Sequence, residues 1–362
     1  MILVHICCAV DSHFFLQKLQ EKYSHDKLVG FFYDPNIHPY SEYYLRLLDV
    51  KRSCDMLGIE LIEGDYDYEA WIEAVRGFED EPEQGKRCDI CFDNRLEVSA
   101  KQAVSLGIKT LTTTLMMSPK KSIKQLENAG KLIEQKYDID FLIVDFRKGG
   151  GTNEQFAMAK KERLYHQDYC GCIYGLTKQR ESQKRVADEL FSPISKQILP
   201  ESIQERIKLY EKRILLEEKN RPYKIVRENF LNYRLFRSSL KLNKEIIPSH
   251  ILPFSTTKRK FLKFKIEDKI QDIYFANREN IRLISLSTYN KLSNQNYKNI
   301  KELIYNPPSF NSELEHKNQI VNTTYSLSAV LVIEDIVLDG RYELLLDSIC
   351  YEDVKEILVN LG

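Results

Sequence analysis

The sequence predicts an α/β domain built on a parallel sheet, followed by a separate α+β module. Three observations lead there. Strand-like and helix-like runs alternate from residue 1 to about 175, turn signals separate them, and both this rhythm and the charge balance change beyond Leu176. With 362 residues, 43% of them hydrophobic and 29% charged, the chain has the composition of a globular protein of about two domains.

The first run, Ile2–Ile6, is a short apolar strand, and a helix from Asp11-Ser12 through Tyr23 follows it. Phe14, Phe15, Leu19 and Tyr23 recur there at helical spacing, with Asp11 or Ser12 as the expected N-cap. Leu28–Tyr33 is the second strand and ends in the turn signal Asp34-Pro35-Asn36. Ser41–Leu57 is helical, Ile59–Ile62 is the third strand, and Tyr68–Val75 and Cys88–Leu106 are helices closed by Gly77 and Gly107. Thr110–Leu115, Ile123–Tyr137, Phe141–Asp145 and Glu154–Tyr165 complete the domain as strand, helix, strand and helix. Strands separated by helices imply a parallel, Rossmann-like (HUP-like) five-stranded sheet with helices on both faces. Ligands of such sheets bind at the carboxyl ends of the strands. Cys7-Cys8, Asp34–Tyr40, Thr112–Ser118 and Asp145–Gly151 should therefore share one rim.

Residues 1–178 are thus read as a catalytic α/β domain and 179–362 as a C-terminal extension, helical and then mixed α+β. In the extension, Gln179–Leu190 and Pro200–Lys219 are expected helices. Ala329–Leu338 and Tyr342–Leu346 are expected strands about an Asp339-Gly340 turn, and Glu352–Leu361 is expected as a closing helix. The fold of this part is not legible from pattern. Net charge is zero overall, but residues 176–310 carry 28 basic against 15 acidic side chains. Such an excess either faces a polyanion or solvates amphipathic helices. The longest apolar runs, such as Phe141–Val144 and Ser328–Ile333, are far short of the roughly 20 residues of a membrane span. The N-terminus has no basic segment ahead of its strand, so no signal peptide is expected and the protein is expected to be cytoplasmic.

Cysteines carry the chemical information. Of eight, six form close pairs in the first half: Cys7-Cys8, Cys88-x-x-Cys91 and Cys170-x-Cys172. In a reducing compartment such clustering points to metal or redox chemistry. Thiolates select iron–sulfur clusters, zinc or Cu(I), and Cys88/Cys91 sit at a helix N-terminus that favours thiolate. Alone that pair fits zinc better; with Cys7/Cys8 added, a 4Fe–4S cluster fits equally well. Cys170-Gly171-Cys172 would close a very small, readily reduced disulfide ring, which suits a two-electron couple, and a metal is the alternative. Cys54 and Cys350 lack partners and are read as buried small apolar residues.

His5, inside the first strand, is read as a satisfied core histidine. His38 and Tyr40, in a turn on the expected rim, are candidates for substrate contact or proton transfer. Arg87 and Arg95 can stabilise thiolates or bind phosphate, and Lys148-Gly-Gly-Gly151 can cradle an anion. Thr112–Thr114 with Ser118 can bond a sugar-like substrate, or simply reflect the β-propensity of Thr.

Taken together, these blocks resemble the epoxyqueuosine reductase family QueH. The resemblance rests on His5-x-Cys-Cys8, Phe32-Tyr-Asp-Pro-Asn-Ile-His-Pro-Tyr40, Arg87-Cys-x-x-Cys91 with Arg95-Leu96, Thr112-Thr-Thr-Leu-x-x-Ser-Pro119, Asp145-Phe-Arg-Lys148 and Tyr169-Cys-Gly-Cys172. It covers about residues 1–175 and implies reduction of epoxyqueuosine to queuosine at the wobble position of tRNA, without cobalamin. It further implies a 4Fe–4S cluster on Cys7, Cys8, Cys88 and Cys91, a redox-active pair Cys170/Cys172, and an external electron donor. The pattern expected after Cys8 is Ala-Pro-Cys, and the chain reads Ala9-Val-Asp11 instead. Asp11 is therefore left off the cluster as a candidate ligand of a second, mononuclear metal ion, or as a catalytic acid beside His38 and Tyr40. A tRNA partner gives the basic segment a purpose, with Lys258, Arg259, Lys260, Lys263 and Lys265 on one strand face as its expected grip. Two other readings compete. An ATP-dependent tRNA thiolation enzyme would carry a Ser-Gly-Gly-x-Asp-Ser type loop after the first strand, which Cys7–Ser12 does not match. A zinc-stabilised RNA-binding protein would leave Cys170 and Cys172 without a role.

Overall fold

The structure, a computed structural model, describes residues 1–119 and 121–362. The chain forms two compact units, and the division is not a single cut. The first comprises Met1–Phe191, Arg206–Ile225 and Leu358–Gly362; the second comprises Ser192–Glu205 and Val226–Ile357.

In the first unit, β1 (Ile2–Ile6), β2 (Leu28–Phe32), β3 (Glu60–Glu63), β4 (Thr110–Thr113) and β5 (Asp140–Phe141) form a sheet in the order β3-β2-β1-β4-β5. All four pairings are parallel, as the alternation with helices requires. Both faces are covered, by α1 (Ala9–Lys22), α2 (Tyr40–Leu57), α3 (Tyr68–Ala74), α4 (Lys86–Ser105), α5 (Ile123–Tyr137), α6 (Gly151–Lys161) and α7 (Ile173–Ser182). Every residue of β1 and β2 is buried, which explains their continuous apolar runs. Gly130 lets α5 settle on β5, since a Cβ there would lie 2.1 Å from the Phe141 ring. Strand order reverses between β1 and β4, and the crevice beyond their carboxyl ends is where this topology places a ligand.

A further helix, α8 (Ile203–Glu218), is anchored to the first unit through Arg213. Its guanidinium donates to Asp49 Oδ1 at 2.5 Å and to the Arg163 carbonyl at 2.7 Å, with both ionic side chains buried.

The second unit holds two sheets. One runs β10 (Ile266–Ile270), β11 (Ile273–Ala276), β12 (Arg282–Ser285), β13 (Val330–Ile333), β8 (Ser249–Ile251), with β12 and β13 parallel and its other pairs antiparallel. The other runs β7 (Glu245–Ile247), β6 (Tyr223–Leu242), β14 (Tyr342–Asn360), β9 (Phe261–Phe264). Helices α9 (Leu286–Ser293), α10 (Ile300–Tyr305) and α11 (Phe310–Val321) complete it.

Several expected elements are corrected. Glu352–Leu361 is no helix but the second half of β14: Val354, Ile357, Leu358 and Leu361 imitate helical spacing, and pairing beside β6 overrides it. The fifth strand shrinks to Asp140–Phe141. The helix expected over Gln179–Leu190 is displaced to α7, with only a short 3₁₀ turn at Asp188–Leu190. Helix α1 starts earlier than expected, with Cys8 at its N-cap, so Asp11 lies in its first turn and is not the cap. No helix among the described residues is long and apolar enough to cross a membrane.

Candidate active site

Six cysteines meet at one cavity of about 330 Å³ in the first unit: Cys7, Cys8, Cys88, Cys91, Cys170 and Cys172 all line it. Each pair arrives on a different device.

Strand β1 delivers Cys7 and Cys8 into the crevice. The Cys7 amide donates to Thr114 Oγ1 at 3.4 Å, and the two sulfurs lie 3.9 Å apart. Beneath them His5 is fully buried, with Nδ1 bonded to Thr113 Oγ1 at 2.8 Å and Nε2 to the Tyr33 carbonyl at 3.1 Å; it is a satisfied core histidine. One helical turn into α1, Asp11 reaches back so that its carboxylate and both sulfurs lie within 4.8 Å of one another. Gln155 holds that carboxylate, donating from Nε2 to Oδ1 at 2.6 Å. Burial raises the Asp11 pKa, against bonds from Cys8 and Gln155 that lower it.

The first turns of α4 carry Cys88 and Cys91, three residues apart and so on one face. Arg87, between Gly85 and Cys88, is not spent on a thiolate. Its Nη1 donates to the carbonyls of Phe78, Glu79 and Glu81, pinning the loop that leads into α4. Arg95 is buried and pairs with Asp34, whose pKa burial pushes up to about 6 against the pull of that guanidinium. The same guanidinium acts electrostatically on Cys91 and Cys7.

Cys170 and Cys172 sit on a tight turn. Gly171 has φ of +100°, and a Cβ there would lie 3.0 Å from Ile37 Cα. The chain after β2 clamps the turn: the His38 amide donates to the Gly171 carbonyl at 2.9 Å, and Asn36 Nδ2 to the Cys170 carbonyl at 3.4 Å. Tyr169 closes the clamp by donating to the His38 carbonyl at 2.8 Å. Both thiols are free. A hydrogen bond from Cys172 lowers the Cys170 pKa, with Lys121 and Arg46 adding to the effect, while that bond and burial raise Cys172. Lys121 lines the same cavity; burial lowers its pKa, but Cys170, Cys88 and Cys91 raise it further, so it stays an ammonium.

His38 and Tyr40 do not line this cavity. The His38 ring stacks on Tyr68 at 4.8 Å, while Tyr40 is 56% exposed and packs against Tyr43 and Tyr66. It is the backbone amide of His38, not its imidazole, that bonds to the cysteine turn. The Lys148–Gly151 segment is likewise absent from the lining, and the space over Gly151 is filled by the Phe146 carbonyl, 1.8 Å from where a Cβ would stand. Cys54 is buried in the core and Cys350 lies in the second unit. Asn36, from the expected rim block Asp34–Tyr40, lines the cavity, whereas Lys121, Gln155 and Trp71, which complete the lining or its supports, carry no pattern of their own. For Lys121 a signal existed, since it lies three residues past the rim block Thr112–Ser118.

A cysteine-lined crevice at the switch point of a parallel sheet defines a metal or redox site of the α/β class. The family model described as "Epoxyqueuosine reductase QueH" matches residues 2–178. The epoxyqueuosine reductase QueH of Helicobacter pylori is 39% identical over 348 residues, covering 92% of this chain and 94% of that one. The QueH proteins of Histophilus somni and Thermotoga maritima are 37% and 35% identical, covering 52% and 51% of this chain and 79% and 95% of theirs. Among solved structures, the U34-tRNA thiolase NcsA from Methanococcus maripaludis with its 4Fe–4S cluster aligns with a TM-score of 0.35 at 15% identity, over 60% of this chain and 72% of that one. The chain belongs to the epoxyqueuosine reductase QueH family. It is an oxidoreductase of the final step of queuosine tRNA modification.

Proposed function

We propose that the six-cysteine cavity is where the epoxide of epoxyqueuosine, at the wobble position of a tRNA anticodon, is reduced to the alkene of queuosine. The observation that carries this is the convergence of three cysteine pairs on one cavity of about 330 Å³. Catalysis is assigned to residues 1–178, the segment the family model matches to within a residue, and the rest to an accessory extension. Clustered thiols suit a reducing cytoplasm, where we place the protein.

The donor set fits a cluster. Cys7, Cys8, Cys88 and Cys91 offer four soft sulfurs, with Arg95 and Lys121 supplying positive charge against their thiolates. Asp11 adds a harder oxygen beside Cys7 and Cys8, which fits a mononuclear ion. When bound, the 4Fe–4S cluster supplies one-electron transfer and the second ion supplies Lewis acidity toward an oxygen.

The chain's own residues account for the rest. Opening the epoxide to an alkene breaks two C–O bonds, consumes two electrons and two protons, and releases the oxygen as water. Joining Cys170 and Cys172 as a disulfide gives up two electrons. With Cys170, whose pKa its bond from Cys172 lowers, reacting as the thiolate of the pair, the Cys172 thiol supplies one proton and the Lys121 ammonium the other. Lys121 is reprotonated from solvent, and an external donor returns two electrons to the disulfide. The Asn36 and His38 bonds hold the pair in place throughout.

Anaerobic incubation with epoxyqueuosine-containing tRNA and a chemical reductant, followed by mass analysis of the nucleosides, tests this. The wild-type protein should yield a product lighter by one oxygen. Cys170→Ser and Cys172→Ser should yield none while keeping wild-type iron and sulfide. Product formed by the double variant would sink the dithiol step.

A further inference from the structure

The second unit contains a cleft of about 560 Å³ that the reductase chemistry leaves unused. Its walls carry five cations, Lys244, Lys263, Lys265, Arg278 and Arg341, against one carboxylate, Glu343. They come from separate places in the chain. Lys244 is in the β6–β7 turn, Lys263 on β9, Lys265 just after it, Arg278 in the turn between β11 and β12, and Arg341 immediately before β14. An accidental excess of Lys and Arg would not gather from so many segments onto one concave surface.

Two asparagines fix the backbone that carries these charges. Asn277 donates its amide to the Lys265 carbonyl at 3.0 Å and accepts the Lys265 amide on Oδ1 at 3.1 Å. Asn243 makes the same reciprocal pair with Arg341, at 2.9 and 3.0 Å. The main chain is therefore held while the side chains stay exposed. Of the five, Lys263 is ion-paired, to Glu343 at 2.8 Å; the other four form no ion pair among the described residues. Lys260 of the basic stretch pairs instead with Asp347, at 2.8 Å. The grip expected on Lys258–Lys265 is thus redistributed, with only Lys263 and Lys265 of that set facing the cleft.

Phe264 and Tyr342, on the cleft floor, are buried and stack on each other at 5.2 Å, so they offer no free face to a base. We infer that this cleft binds the sugar–phosphate backbone of the tRNA substrate, as a charge-reading and sequence-blind contact of the second unit. Fixed, unpaired cations bind phosphates by releasing counterions, and contacts without base edges add affinity but not sequence choice. The inference rests on the reading of the chain as a tRNA-modifying enzyme and extends it to a second point of contact.

The test uses the full-length protein. The triple variant Lys265→Gln, Arg278→Gln, Arg341→Gln is compared with Lys291→Gln, Lys298→Gln, Lys301→Gln, which removes three exposed charges of the same unit outside the cleft. Binding of epoxyqueuosine-containing tRNA is measured across a salt series, and turnover at saturating tRNA. The cleft variant should bind about tenfold or more weakly, with a log–log salt slope smaller by about three, and keep its saturated turnover rate. The control should keep wild-type affinity. Equal losses in both variants would reduce the effect to bulk charge and overturn the proposal, as would no loss in either. A rise in KM for the electron donor, with tRNA affinity intact, would make the cleft a dock for an acidic protein and also overturn it. If wild-type protein bound tRNA but reduced no epoxyqueuosine, the chemical reading would fail while the binding comparison still stood.

Discussion

At the scale of single residues, the site is a set of soft thiols held under two buried cations. The cysteine pairs were legible because adjacent thiols in a reducing chain have few bland explanations. Lys121 was not: a lysine after a rim loop looks like any surface lysine until burial and three thiols surround it. Lys121→Met should lower turnover by about 100-fold, as loss of a placed proton donor does, with iron and sulfide unchanged. Equal turnover would move the proton elsewhere. His38 meets the cysteine turn through its backbone amide while its ring stacks on Tyr68, and Tyr40 lies outside the cavity lining. In the second unit, Lys317 is fully buried with no hydrogen-bond partner for Nζ among the described residues, and burial lowers its pKa to about 7. The unfolded chain then holds a proton that the fold sheds between about pH 7 and 10, so stability should rise with pH across that window. Lys317→Met should flatten the rise and add about 1–3 kcal/mol at pH 7, as read by denaturant unfolding at several pH values.

At the scale of elements, the turn at Gly171 and the anchor on α8 matter most. Gly171→Ala meets both a left-handed backbone and the Ile37 main chain, 3.0 Å from the added Cβ. It should cost about 1–3 kcal/mol and reduce turnover by shifting the cysteine pair, which unfolding and rate measurements on one preparation would separate. Arg213→Ala leaves Asp49 buried and unpaired and should cost about 3–5 kcal/mol, seen as a drop in the unfolding midpoint. Strands β1 to β4 were legible from alternation with helices, and β1 and β2, buried on both faces, read in addition as continuous apolar runs. Strand β5 is two residues long, too short for periodicity to bound. The end of β14 was misread because its apolar spacing follows a helical period, and only a distant partner strand overrides it.

At the scale of the whole molecule, the first unit carries the family's match and all six paired cysteines. Nearly all of the Thermotoga maritima relative, 95% of its length, aligns with 51% of this chain, whereas the Helicobacter pylori relative aligns along 92% of it. The second unit is thus an extension shared with the Helicobacter pylori relative. Its two sheets join strands far apart in sequence, β8 beside β13 and β6 beside β14, so no local pattern announced them. The proposed reducing site stands on an iron–sulfur cluster held by Cys7, Cys8, Cys88 and Cys91. Iron, sulfide and zinc analysis of anaerobically purified protein tests it most directly. About four irons and four sulfides per chain, in a brown protein, is the expected result. A colourless protein holding one zinc and no sulfide would contradict it.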